Sequence, residues 1–401
     1  MPDNTSPSPA PRLGRNVVVL SVVSLLTDAS SEIIYPLLPI FLTTVLGAGA
    51  SAVGAIEGAA ETTSALLKLG SGWWSDRVSR RKPLVVAGYA LASLARPLVA
   101  LAQSAGQVLA IRLTDRVGKG IRGAPRDALI AESVDPSIRG RAFGFHRAAD
   151  NAGAVIGPLI AFALLRWEHL PLRTVFLLAA IPGLLSVLVL VMGVRETPRE
   201  VAPKTESKGP PTLRGVPLGR SFWTFLSSVF LFTLGNSTDA FLILRANQLG
   251  VSVALVPILW AALHVVKSAA AVPGGALSDK LGRKPLILAG WAVYAAVYFA
   301  FGLASETWHA WALFLAYGLF FGLTEGTERA MVADLVRRDR RGTAFGWYNL
   351  AIGIGALPAS LLFGFVWDRW GAASAFNVGA VLAAAAAAVM LAVPAHPSVE
   401  A

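Results

Sequence analysis

The chain has 401 residues, with 35 Lys and Arg against 24 Asp and Glu for a formal net charge of +11, and only 15% of its residues are charged against 55% hydrophobic. Soluble domains carry about 25% charged residues, so most of this chain stays away from water, in keeping with a mean hydropathy of +0.60. That composition excludes disorder and a collagen-like repeat, and the absence of cysteine removes a disulfide scaffold, thiolate catalysis and Cys-ligated metals.

Residues 1–16 form a polar, Pro- and Ser-rich tail that puts Arg12 and Arg15 just before an apolar run over about 17–42. A signal-peptide core spans about 7–15 residues and ends at a small-residue cleavage site, so this longer run reads as a first transmembrane helix that stays. Crossing the hydrocarbon core takes about 20 apolar residues. Further runs of that kind lie at about 51–73, 84–103, 107–133, 141–165 and 173–194, then at about 221–246, 252–276, 286–304, 308–334, 342–365 and 372–394. The expected architecture is an all-α membrane protein with twelve spans. One six-helix unit covers 17–194, a polar linker 195–219, a second six-helix unit 220–394, and a short tail 395–401.

Lys and Arg resist translocation, so loop charge sets the orientation. One side of the membrane collects Arg12 and Arg15, then Arg77, Arg80, Arg81 and Lys82, then Arg139 and Arg141. The linker adds Arg195, Arg199, Lys204, Lys208, Arg214 and Arg220, and later junctions add Lys280, Arg283, Lys284, Arg337, Arg338, Arg340 and Arg341. The opposite loops offer only Arg166, Arg173 and Arg369. Both termini and the linker are therefore expected in the cytoplasm, with the chain in the cell inner membrane. The basic excess is a topology signal, and no nucleic-acid partner is expected.

The two halves also repeat each other. Gly72-Trp-Trp-Ser-Asp76-Arg-Val-Ser-Arg80-Arg-Lys82-Pro-Leu matches Gly275-Ala-Leu-Ser-Asp279-Lys-Leu-Gly-Arg283-Lys284-Pro-Leu at an offset of 203. Arg139-Gly-Arg-Ala-Phe-Gly-Phe145 matches Arg341-Gly-Thr-Ala-Phe-Gly-Trp347 at an offset of 202. Parallel repeats of six helices put a binding site at their interface near the membrane midplane. The loop between the second and third spans, repeated between the eighth and ninth, resembles the signature loop of the major facilitator superfamily. The C-terminal copy is complete, whereas the N-terminal copy has Ser79 where the pattern has Gly. The resemblance implies two pseudo-symmetric bundles, a cavity lined by helices 1, 4, 7 and 10, a monomer, and a gating role for Gly72, Asp76, Arg80, Gly275, Asp279 and Arg283. Arg116 and Gly120 in the fourth span resemble the family's Arg-containing pattern. Gly144, Gly153 and Gly157-Pro158 in the fifth resemble the motif of its drug/proton antiporters, although Ala161 and Phe162 replace that motif's last glycines. A nucleotide-binding reading of Gly118-Lys119-Gly120 fails, because no Ser or Thr follows the Lys.

An ionisable group at bilayer depth costs about 2.5–3.5 kcal/mol on insertion scales, so each one marks a candidate site. Asp28 and Glu32 sit one turn apart in the first span, and Glu57 and Glu61 repeat that spacing in the second. Two carboxylates on one face resist double ionisation, which suits proton binding; pairing with Arg or Lys of another helix is the alternative. Asp28, Glu32, Glu61, Asp150, Asp239 and Arg116 are the proton-coupling candidates. In the fourth span Asp115, Lys119, Arg122 and Arg126 form one helical stripe too polar to face lipid. Its three cations point to an anionic solute, with Arg245, Lys267, Glu325, Glu328 and Arg329 as candidates from the second half. Pairing of these cations with carboxylates into a neutral network is the competing account. His146 and His264 read as satisfied polar groups, and no catalytic metal or cofactor pattern is present. The expected function is a secondary transporter exchanging protons for a small organic solute on export. A proton-symport importer of an anionic metabolite and a non-transporting sensor or scaffold are the alternatives.

Overall fold

The computed structural model describes residues 13–75, 78–135, 138–196, 218–337 and 340–394, and every regular element among them is helical. The tail before Leu13, the linker over 197–217, the tail after Pro394 and the signature-loop residue Asp76 lie outside the described residues.

In the first half α1 (Arg15–Ile34) continues through a tight turn at Tyr35–Leu37, α2 (Leu38–Ile40) and a wide turn at Phe41–Val45. Pro36 and Pro39 explain this irregular stretch, because each removes an N–H and crowds the carbonyl four residues back. α3 (Ala50–Ser75) and α4 (Lys82–Ala95) follow, and Pro97 sits at the start of the tighter turn that extends α4 to Leu101. α5 (Ala105–Glu132) starts at Ser104, whose hydroxyl accepts from the Gln107 N–H at 3.3 Å and satisfies one of the helix's free donors. α6 (Arg139–Arg166), α7 (Leu172–Leu178) and α8 (Ala180–Gly193) complete the half. The second half contains α9 (Arg220–Gly235), α10 (Ala240–Gln248), α11 (Val256–Leu281), α12 (Arg283–Leu303), α13 (Thr307–Asp334) and α14 (Arg341–Leu391).

Eight segments among the described residues are long and apolar enough to cross a membrane. α3, α5 and α13 are long enough, at 26, 28 and 28 residues, yet fall short in apolarity. They are the helices that carry Glu57, Glu61, the Asp115–Arg126 stripe, Glu325, Glu328 and Arg329. α14 runs for 51 residues, and a straight helix of that length would extend about 75 Å, over twice the hydrocarbon thickness. It does not run straight. Gly371 leaves helical geometry at φ 84° and ψ 168°, a conformation open to glycine, and the residues after it pack beside α9 and α12 through Gly379, Gly235 and Tyr298.

Helix packing is mostly local to each half. α1 lies against α6 and α8, and α5 against α3 and α4; in the second half α13 lies against α11 and α12, and α14 against α9 and α12. The principal contacts between halves are α3 on α14 and α6 on α11. At one end the interactions recur in both halves. Arg81 bonds the Ser75 hydroxyl and pairs with Glu132, while Arg283 bonds the Ser278 hydroxyl and pairs with Asp334. Lys82 Nζ donates to the carbonyls of Val191 and Val194, and Lys284 Nζ donates to those of Leu391 and Val393. Arg139 Nε and Arg341 Nε each donate to a carbonyl eight residues upstream, at Ala131 and Ala333. The basic loop residues thus close helix ends whose carbonyls lack intrahelical partners. Arg81 makes the contacts that Arg283 makes, whereas Arg80 is exposed, because the first copy of the loop is one residue longer before its Arg-Lys-Pro.

The hydrogen bonds between the halves run from the middle of α3 toward the opposite end. Thr62 Oγ1 donates to the Gly353 carbonyl at 2.6 Å, and Asp368 accepts from the N–H groups of Ala50 and Ser51 at 2.9 Å each. Trp260 Nε1 donates to Glu32 Oε2 at 2.8 Å, and its ring packs on Tyr35 at 5.2 Å. A carboxylate at the first turn of α3 also suits the positive end of that helix's dipole. This end is sealed by both halves.

Gly118 and Gly88 let α5 and α4 touch backbone to backbone: a Cβ on Gly118 would lie 2.6 Å from the Gly88 carbonyl oxygen and 3.0 Å from the Ala92 nitrogen. Gly118→Leu is expected to destabilise the protein by about 1–3 kcal/mol through overpacking, read as a lower melting temperature in detergent. An unchanged melting temperature would show that α4 and α5 tolerate separation.

Candidate functional site: a cationic cavity between the halves

Behind the cavity wall lies a buried ion network built by α3, α4 and α5. Arg112 donates from Nε to Glu57 Oε1 at 2.9 Å and from Nη2 to Glu57 Oε2 at 2.5 Å, a two-pronged contact with both groups under a tenth exposed. Arg96 Nε donates to Asp115 Oδ1 at 2.7 Å and its Nη1 to the Thr27 carbonyl at 3.0 Å. Arg116 reaches Glu61 at 3.2 Å, and Asp115 Oδ2 lies 3.7 Å from Arg112 and 3.9 Å from Arg116. Three arginines face three carboxylates, so the network is neutral within itself. Glu57 and Glu61 each face their own arginine.

The cavity itself has a volume of about 610 Å³ and lies on the basic-end side of the seal, between α1, α5 and α6 of the first half and α11, α13 and α14 of the second. That size suits a small organic molecule. α5 contributes Lys119, Arg122, Arg126 and Asp127, α3 contributes Lys68, and α1 contributes Asp28. α6 adds Arg147, Asp150 and Asn151, and the second half adds His264, Lys267, Ser268, Arg329 and Asn349. The lining thus holds seven Lys and Arg side chains and three Asp. Arg126 pairs with Asp127 at 2.8 Å, and Arg147 lies 4.0 Å from Asp150. Among the described residues, Lys68, Lys119 and Arg122 have no carboxylate within 4.0 Å. Arg122 instead lies over the Tyr89 ring, 4.1 Å from its centroid, and its Nη1 has no hydrogen-bond partner. A second space of about 280 Å³ adjoins it between α6, α11 and α13, where Glu325 meets Lys267 at 3.2 Å and Arg329 at 3.7 Å.

The residues singled out from the sequence therefore separate into several surroundings. Asp28, Lys119, Arg122, Arg126, Asp150, Lys267 and Arg329 line one cavity. Asp115, Arg116 and Glu61 belong to the network behind it, so the stripe on α5 divides between two environments. Glu32 stands at the seal with Trp260. Asp239 accepts from Tyr317 Oη at 2.7 Å, and Glu328 accepts from Trp291 Nε1 at 3.0 Å and Tyr348 Oη at 2.8 Å, both within the aromatic interior of the second half. Arg245 donates to the carbonyls of Phe301 and Ala304 and closes the end of α12. Asp279 pairs with Arg283 at the basic end, Gly275 touches nothing within 4 Å of where a Cβ would be, and Gly72 lies in the last turns of α3. In α6 a Cβ on Gly153 or Gly157 would press on α1, beside Asp28 and Glu32 respectively, while Gly144 has open space and Pro158 lies inside the helix.

Arg96, Arg112, Lys68, Arg147 and Tyr89 were not singled out. The first three are cations inside or at the end of apolar runs, and the cost of burying charge should have flagged them. Tyr89 carries no such signal, because only the crossing of α4 over α5 brings its ring to Arg122. Among the described residues no group of three or more His, Asp or Glu could hold a metal ion.

The profile of the Major Facilitator Superfamily matches residues 20–357 and 224–401. The chain belongs to this superfamily of multi-pass membrane transporters, which are not enzymes. It is 34% identical over 377 residues to an uncharacterized MFS-type transporter of Methanocaldococcus jannaschii, covering 92% of this chain and 93% of the relative. It is 30% identical over 116 residues to the multidrug resistance protein MdtH of Escherichia coli, covering 29% of each chain. The crystal structure of a bacterial homolog of the human lysosomal transporter Spinster, inward-facing and occupied, superposes with a TM-score of 0.74 at 19% identity, covering 94% of this chain and 95% of that one.

Removing one partner of a buried pair leaves the other charge unmatched, at a cost of about 3–5 kcal/mol. Arg112→Gln should therefore lower the melting temperature steeply, and adding Glu57→Gln should recover part of the loss. Glu61, half-exposed, should tolerate Gln at a cost of about 0–1 kcal/mol. Equal losses for Arg112→Gln and Glu61→Gln would contradict this ranking.

Proposed function

We propose that this chain is a proton-coupled secondary transporter that moves a small anionic organic solute across the cytoplasmic membrane by alternating access. The observation that carries the reading is the cavity's charge: seven cations face three carboxylates in a space reached by both halves. A neutral network would need no solute to balance it, whereas an excess of positive charge lining a cavity favours an anion. Twelve spans in two six-helix units, with both termini in the cytoplasm and the chain working as a monomer, complete the proposal. The break at Gly371, the contacts repeated between halves and the collection of basic residues at one end support that arrangement.

The sign of coupling follows from electrostatics. Asp28 and Asp150 share the cavity with Lys119, Arg122 and Arg126. Protonating either carboxylate leaves more cationic charge for the solute, so anion and proton each favour the other's binding, and the linkage is reciprocal. Proton and anion then travel together, which is symport. Export in exchange for protons is the second reading, and it rests on Gly144, Gly153, Gly157 and Pro158 and on the partial similarity to MdtH. In that case solute and proton compete for one network.

Proteoliposomes with an imposed pH gradient and an internal pH dye test both. With radiolabelled lactate, succinate and citrate as probes, symport predicts uptake driven from an acidic exterior and acidification of the lumen as the anion enters. Exchange predicts alkalinisation instead. Arg122→Gln should reduce the flux at least tenfold, about 1.4 kcal/mol. Flux of neutral or cationic solutes with none for any anion would overturn the anionic reading.

A further inference from the structure

We propose that the solute carries at least two negative charges and is held from both halves at once, one anionic group on Lys119 and Arg122 and another on Lys267 and Arg329. This deepens the transporter reading and rests on it for the identity of the cavity. The substrate class is a compact soluble polyanion, such as a polycarboxylate or a phosphate ester.

The charge within the cavity sets the number of anionic groups. Of its seven cations only some have carboxylates: Arg126 has Asp127, Arg147 has Asp150, and Lys267 and Arg329 share Glu325 from the adjoining space. Counting Glu325 with the three aspartates still leaves an excess of three positive charges among the lining groups. A single carboxylate would leave two of them unmatched. Unmatched charge held in a closed, low-dielectric space costs several kcal/mol per ion, so a solute with two or three charges is the one that permits the cavity to close.

Two side chains show where that solute is met. Arg122 is 4% exposed, lines the cavity and keeps Nη1 without a hydrogen-bond partner, although a buried guanidinium is ordinarily satisfied. The Tyr89 ring lies over its guanidinium and holds it by cation–π attraction without using its donors. The backbone contact between Gly88 and Gly118 is what brings that ring so near. Across the cavity Lys267 Nζ lies 4.1 Å from the Phe321 ring centroid and 3.2 Å from Glu325, so it too is held by an aromatic face. The internal repeat sharpens the contrast: α5 and α13 are offset by 202 residues, which puts Thr324 at the position of Arg122 and Glu328 at that of Arg126. The first half offers unmatched cations, and the second offers cations partly matched by one carboxylate. An anion bridging the two would draw the halves together on the basic-end side of the seal, away from the hydrogen bonds that join them.

Isothermal titration of the detergent-purified full chain, at constant ionic strength, tests the inference with acetate, succinate, citrate and inorganic pyrophosphate. Citrate and pyrophosphate should bind at least tenfold more tightly than acetate, with succinate between. Arg122→Gln and Lys267→Gln should each weaken citrate binding at least tenfold, and Arg122→Lys should restore part of it. If Arg122→Gln fails to fold, Lys119→Gln should show the same loss. Equal affinity for acetate and citrate, or unchanged binding in the Lys267 variant, would overturn the two-sided site. Displacement of citrate by equimolar phosphatidylglycerol would overturn its assignment to a soluble solute in favour of a lipid headgroup. Polyanion binding without flux in proteoliposomes sinks the transport reading and leaves this inference standing. Flux of a monoanion without polyanion binding does the reverse.

Discussion

Arg112 and Glu57 meet between α5 and α3 where neither lipid nor bulk water can satisfy them, and the architecture of the first half follows from that constraint. Inside a bilayer an ion must be matched by protein or kept in a wet cavity. Arg96, Arg112 and Arg116 are matched by Glu57, Asp115 and Glu61, which fixes how α3, α5 and the end of α4 face one another. One helical turn further along α5, the same stripe emerges from this network into the cavity. The neutral network makes the charged cavity possible, because it orients α5 so that Lys119, Arg122 and Arg126 face the opposite half.

The second half meets the same constraint by different means. Its interior is aromatic, with Phe232, Trp291, Tyr294, Tyr298, Tyr317 and Phe320 in mutual ring contact. Its buried carboxylates Asp239 and Glu328 are held by tyrosine and tryptophan donors instead of arginine. The halves are thus alike at the basic end, where loop residues close helix termini in the same way twice, and unlike in the core. The sealed end joins the two halves through Trp260 on Glu32 and Asp368 on the start of α3.

Membership in the superfamily and the helical character of the chain were legible in the sequence. The signature loop, the repeat and the apolar runs are local patterns, and local patterns survive in a sequence. The candidate site was legible only in part. The cost of buried charge singled out Asp28, Lys119, Arg122, Lys267 and Arg329, and all of them line the cavity. The same argument gave equal weight to Glu32, Glu61, Asp115, Asp239 and Glu328, which the fold distributes among a seal, an ion network and an aromatic core. It also passed over Arg96 and Arg112, which hold that network together.

The sequence by itself determined that this is a helical membrane protein of two related halves, because hydrophobic length, loop charge and internal repetition are properties of neighbouring residues. Only the tertiary structure decided which charges are matched and which line a cavity without a carboxylate partner. That depends on crossings such as Gly88 on Gly118 and on helices brought together across the halves. Spacing along one helix places a charge on a face, and it is the neighbouring helix that determines whether that face meets a counter-ion or an open cavity.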